Sequence, residues 1–100
     1  MFIILLKFSE KKSQAAKYMT GHREWLQKGF NDGVFILSGS IKPGIGGGIL
    51  AFNTTYEELL IRIEQDPFVS EKVVSADVIE IDSSKASPQL EFLLDPETNG

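Results

Sequence analysis

His22 is the one histidine of the chain, and its surroundings suit it to moving protons. It falls between Tyr18 and Trp25-Leu26 on the apolar side of a helical repeat, where a neutral imidazole can be held in one tautomer. Imidazole is the side chain best placed to exchange protons near neutral pH. Such a base needs an orienting acceptor on its second ring nitrogen, and Asp66, at the end of another helical stretch, is the candidate. A plainer reading stands beside this one: a buried histidine satisfied by a structural aspartate, with Asp66-Pro67 as turn chemistry and the carboxylate bonding nearby backbone. Ser38 and Ser40 share one face of a strand with Gly39 between them, so their hydroxyls could bond a ligand oxygen, and a strand glycine often marks close approach. Neither serine has a base and an acid arranged for nucleophilic attack, and a hydrolase would compete for the same His22. Trp25 and Phe68, with Tyr18, could wall an aromatic pocket, although aromatic residues at helical spacing also build cores.

Other chemistries find little support. Pro43-Gly44-Ile45-Gly46-Gly47-Gly48 looks like a phosphate loop, but that mechanism needs a following helix, and here a strand follows. It reads as a hairpin loop, with a lid over the pocket as its one functional option. The absence of cysteine rules out disulfides, a thiolate nucleophile, iron–sulfur clusters and Cys-based zinc sites. One histidine and scattered carboxylates show no metal-ligand spacing, so neither a metal nor an organic cofactor is expected. Ten basic against 14 acidic residues leave a net charge of −4 with no basic cluster, which argues against nucleic acid as a partner. The apolar run Phe2–Leu6 is too short for a secretory signal or a membrane span, so a cytoplasmic location and no membrane partner are expected.

These residues need elements to position them, and one domain over residues 1–94 is expected, with a flexible polar tail at 95–100. Phe2–Phe8 reads as a strand with apolar residues on both faces. A helix follows from about Gln14 to Asn31, with Ser13 as candidate N-cap, and it ends at Gly33 in a left-handed position. Gly21 interrupts it, either to relieve crowding beneath a strand or simply as a tolerated residue. Val34–Ile41, interrupted by Ser38-Gly39-Ser40, and Gly48–Asn53 form a hairpin. Thr54 or Thr55 caps a second helix, with capping-box spacing from Thr55 to Glu58 and a buried stripe of Tyr56, Leu59, Leu60 and Ile63. Pro67 stops that helix. Lys72–Ile81 is the last strand, and Pro88–Leu94 a short apolar element docking on the body or on a partner.

The order β-α-β-β-α-β is the split βαβ arrangement, an α+β, ferredoxin-like protomer: a four-stranded antiparallel sheet with both helices on one face. Phe2, Ile4, Leu6 and Phe8 then point to one face, and Ile3 and Leu5 to the other. In the second strand, Val34 and Ile36 oppose Phe35, Leu37 and Ile41. Two helices cover one face only, leaving an apolar patch larger than a soluble monomer usually shows. A homodimer through that sheet face would bury it.

The opening strand, His22-Arg23-Glu24-Trp25-Leu26, Ser38-Gly39-Ser40 and the Asp66-Pro67-Phe68 corner together resemble the YciI-like (YCII-related) family, over about residues 1–82. The resemblance implies a ferredoxin-like protomer that dimerises into an α+β barrel, and a histidine–aspartate pair in a pocket beside the sheet, carried here onto His22 and Asp66. The family's role is mostly uncharacterised. The wider superfamily spans isomerases, small monooxygenases and haem-dependent enzymes, so the fold does not decide the chemistry. The expectation is therefore a cofactor-independent enzyme using His22 and Asp66 on a small cyclic or aromatic metabolite, by isomerisation or elimination. The alternative is a non-catalytic ligand-binding or accessory dimerisation module. A solvent-connected His22 with room for a ligand would favour the enzyme, and a closed, fully packed pair the accessory role.

Overall fold

Alternation in Phe2–Phe8 sets the architecture. In the structure, a computed structural model that describes residues 1–94, Phe2, Ile4 and Leu6 are buried while Ile3 and Leu5 are only half-buried. The expected tail at 95–100 lies outside the described residues. This strand, β1 (Phe2–Phe8), is central. It pairs antiparallel with β3 (Gly46–Ala51) on one side and β4 (Val74–Glu80) on the other, and β2 (Phe35–Ile41) completes the order β2-β3-β1-β4. Helix α1 (Ala15–Asn31) crosses from β1 to β2. Helices α2 (Tyr56–Glu64) and α3 (Pro67–Ser70) lie between β3 and β4. The helices supply Trp25, Leu59, Ile63 and Phe68 to one core with Ile4, Phe35, Ile49 and Val74 from the sheet. This is the ferredoxin-like α+β protomer expected from the element order. No helix among the described residues is long and apolar enough to cross a membrane.

Several local expectations change. Ser13 does not cap α1. A 3-10 turn at Lys12–Gln14 intervenes, and Gln14 takes the cap position without a side-chain bond. The serine that ties this corner is Ser9, whose hydroxyl accepts from the Lys11 N–H at 3.0 Å and donates to the Lys72 carbonyl at 2.6 Å. Thr55 caps α2 as its spacing predicts, with Oγ1 accepting from the Glu58 N–H at 3.1 Å. Of the predicted α2 stripe only Leu59 and Ile63 are buried, and Tyr56 and Leu60 are exposed. A nine-residue helix presents two turns to the sheet, which leaves room for one i, i+4 pair. The glycine stretch divides differently too. Gly46–Gly48 belong to β3, so the connection shrinks to residues 42–45.

The strand β2 runs continuously through Ser38-Gly39-Ser40, but its pairing with β3 shifts between Phe35 and Leu37. The irregularity offsets the alternation by one residue. Phe35 therefore packs in the helix-side core and Leu37, two residues on, sits opposite Leu50 on the open face. Ser38 and Ser40 are turned to the helix side, opposite Ile49 and Gly47.

Candidate functional site

The helices do not cover the whole sheet. Beyond Trp25 and Phe35 the helix-side face is bare where β1 ends, β3 begins and β2 ends, and the gap is a cleft of about 370 Å³. Its floor is sheet: Leu6, Gly47 and Ile49 in the middle, with Ser38 and Ser40 at the β2 side. Gly47 stands where any other residue would raise a Cβ from the floor, since an added Cβ would meet nothing nearer than the Gly39 carbonyl oxygen at 3.4 Å. Gly46 is required for another reason, because a Cβ there would strike the Leu6 carbonyl. One wall is α1, through Met19, His22, Arg23 and Leu26, and Phe68 closes the end.

His22 and Asp66 meet at this wall. Nδ1 of the imidazole lies 2.9 Å from Asp66 Oδ1. Asp66 is wholly buried and is the one buried polar side chain among the described residues. Its position follows from local chemistry. Asp66 is the N-cap of α3, with Pro67 at the first helical position, where a missing N–H costs nothing. Oδ1 accepts from the Phe68 N–H at 3.0 Å as well as facing the imidazole. The two readings drawn from the sequence, backbone turn and histidine partner, thus converge on one oxygen. The other oxygen, Oδ2, is buried without a hydrogen-bond partner.

An ionised carboxylate can only accept, so the ring nitrogen facing Asp66 is the donor, and in the neutral imidazole that tautomer leaves the lone pair on Nε2. No described residue hydrogen-bonds Nε2, and the side chain is 14% exposed at the cleft. The ring is clamped rather than free. Phe68 stacks on it at 4.1 Å between centroids and 8° between planes, and Trp25 lies 5.9 Å away on a nearly parallel plane. The arrangement can take up or deliver a proton at Nε2 while Asp66 holds the ring and balances the charge it acquires.

Gly21 has neither of the roles expected of it. It lies against α3 and not under a strand, and a Cβ there would come within 2.9 Å of Pro67 Cγ. Gly21 precedes His22 and Pro67 follows Asp66, so the close approach of the two helices adjoins the imidazole–carboxylate contact.

Of the six residues singled out from the sequence, His22, Ser38, Ser40 and Phe68 line the cleft, and Asp66 stands directly behind His22. Trp25 does not line it. It is buried beneath, with its ring edge against Phe35 at 5.1 Å and its Nε1–H donated to the Arg62 carbonyl at 2.8 Å. The reading of the sequence did not single out Arg23, an exposed residue of α1 that lines the cleft. The signal was present: Arg23 is four residues after Met19 and three before Leu26, both of which line the cleft.

No protein-family model matches the chain, and no curated protein sequence does either. Among solved structures it is similar to 5-chloro-2-hydroxyhydroquinone dehydrochlorinase from Burkholderia phenoliruptrix AC1100, in complex with 2,5-dihydroxybenzoquinone. The TM-score is 0.68 over 80% of this chain and 91% of that one, at 15% sequence identity. At that identity the likeness establishes the shared α+β fold.

Proposed function

We propose that this chain is a small enzyme of the YciI-like type that moves a proton on a small planar, oxygenated ring compound, with His22 as base and then acid, and with no resident cofactor. The single observation carrying the reading is the placement of the imidazole: Nδ1 lies 2.9 Å from a buried carboxylate, Nε2 has no hydrogen-bond partner among the described residues, and His22 lines a cleft of about 370 Å³. Nε2 takes a proton from the substrate and Asp66 offsets the charge. Returning the proton to a different atom isomerises the substrate. Elimination follows when a leaving group departs with its electron pair. Ser38 and Ser40 bond ring oxygens from the floor, and Phe68 keeps the imidazole in plane. The dehydrochlorinase of similar fold, in complex with 2,5-dihydroxybenzoquinone, supports the choice of ring compounds.

The working form is a homodimer through the open sheet face. Leu37 and Ile79 are 55% and 46% exposed there, beside half-buried Ile3, Leu5, Ile41 and Leu50. Light scattering is expected to return the mass of two chains, and a single-chain mass at micromolar concentration would contradict that part of the reading.

The test is a thermal-shift panel of hydroxyquinones, hydroxylated aromatics, lactones and small keto acids on wild type and His22→Gln. A ligand at 100 times its Kd adds about 2.7 kcal/mol, roughly 10–20 °C in a domain of this size. A chemically coherent set that shifts wild type, is turned over by it, and is not turned over by His22→Gln is expected. Binding without turnover of any member would favour the non-catalytic ligand-binding or accessory module. Gly21→Ala refines the same assay. The substitution raises helix propensity by about 1 kcal/mol. It is nonetheless expected to lower turnover about tenfold, because it drives Pro67, and Asp66 with it, away from His22.

A further inference from the structure

The chain has two arginines, and they are used differently. Arg62 pairs with Asp32 at 3.0 Å, and that hydrogen bond holds the Asp32 carboxyl below its usual range. Arg23 has no ion pair and no side-chain hydrogen bond among the described residues, although the chain carries 14 carboxylates. It stands at the cleft beside His22. A second cation comes to the same rim: Lys12 Nζ donates to the Gly44 carbonyl at 3.1 Å and lies 5.0 Å from the centroid of the Phe8 ring, and both Gly44 and Phe8 line the cleft. Among the described residues, no aspartate or glutamate lines it. Two cations at the rim thus stand against one carboxylate among the described residues, the buried Asp66 behind His22, so the mouth of the cleft is cationic in a molecule of net charge −4. The walls are apolar (Leu6, Met19, Leu26 and Ile49), and such walls focus the field of a charge at the mouth.

We propose that Arg23 is a substrate-binding residue and that the cleft takes a ring compound already anionic at neutral pH, an ionised enol or a carboxylate, whose negative oxygen pairs with the Arg23 guanidinium. The inference rests on the cleft being the ligand site described above and adds the charge of the ligand. It also completes the proton chemistry. When Nε2 of His22 removes a proton, negative charge is left on the ring oxygens, and Arg23 is the cation lining the cleft that can pair with it. The planar fork of arginine suits two oxygens at once, which a lysine does not match.

The experiment measures binding of two probes by calorimetry: 2,5-dihydroxybenzoquinone, ionised at neutral pH, and its neutral dimethoxy ether. The proteins are wild type, Arg23→Gln and Arg23→Lys, at low and high salt. Wild type is expected to prefer the anion, with the preference shrinking as salt rises. Arg23→Gln is expected to weaken the anion roughly 10- to 100-fold, leave the neutral ether unchanged and leave the unliganded melting temperature unchanged, with Arg23→Lys in between. Equal loss for both probes, or an unchanged anion Kd in Arg23→Gln, overturns the inference while leaving the cleft as a ligand site. Wild type that binds neither probe overturns the choice of ring ligand, and this inference with it.

Discussion

His22→Gln is expected to lower turnover of the compound found by the panel by about 10²–10⁴-fold, the usual contribution of a positioned proton-transfer group. Glutamine is the informative replacement. Its amide N–H can still reach Asp66 Oδ1, so the buried carboxylate keeps a donor, but it carries no group that titrates near neutrality. The loss of the ring stacked on Phe68 costs about 0.5–1.5 kcal/mol, which a folded domain tolerates. His22→Ala would confuse two effects, since it also leaves the buried Asp66 carboxylate without its side-chain partner, which is itself destabilising. Circular dichroism and the melting temperature check that the fold persists, and turnover of the hit compound gives the effect. A His22→Gln protein at wild-type rate would remove His22 from the chemistry.

Asp66→Asn is the second large effect, and it separates the two roles that Oδ1 combines. The amide oxygen can still cap the Phe68 N–H and accept from Nδ1, so the start of α3 survives. What disappears is the negative charge facing an imidazole that must become positive, and turnover is expected to fall roughly 10²–10⁴-fold. Stability is expected to change by only about 1–2 kcal/mol in either direction. The variant relieves a buried charge, but it places an NH₂ where Oδ2 already lacks a partner. If the carboxylate serves the fold alone, the pattern reverses: a lower melting temperature with turnover intact. Measuring kcat and melting temperature on the same preparation distinguishes the two.

The fold was legible because its dominant signals are local. Alternation in Phe2–Phe8 assigns both faces of the central strand, the three-and-four repeat through Trp25 builds α1, and Thr55 with Glu58 marks the start of α2. What was hidden depended on tertiary placement. The register shift after Phe35 cannot be seen in an alternating strand, yet it decides that the two serines face the helices. Helix α3 is a single turn, too short for any period to show, and its start reads from the sequence only as a stop. Trp25 was ambiguous by nature, since an indole at helical spacing can line a pocket or fill a core, and the Arg62 carbonyl that takes its N–H comes from a distant helix. Arg23 was not singled out, because an exposed charged residue on a helix reads as a solvated face whether or not it borders a cleft. His22 and Asp66, which meet at 2.9 Å, could be paired from the sequence because the chain holds one histidine and Asp66 sits at a distinctive Asp-Pro corner.

That single histidine makes one measurement decisive: ¹⁵N NMR of the ring nitrogens, with and without a compound that stabilises the protein. The expected spectrum shows a proton on Nδ1 throughout, donated to Asp66, and an unprotonated Nε2 whose resonance moves when the compound binds. A proton resident on Nε2, or ring signals that stay fixed while the compound is bound, would contradict the account that His22 is the base of a ligand-binding cleft.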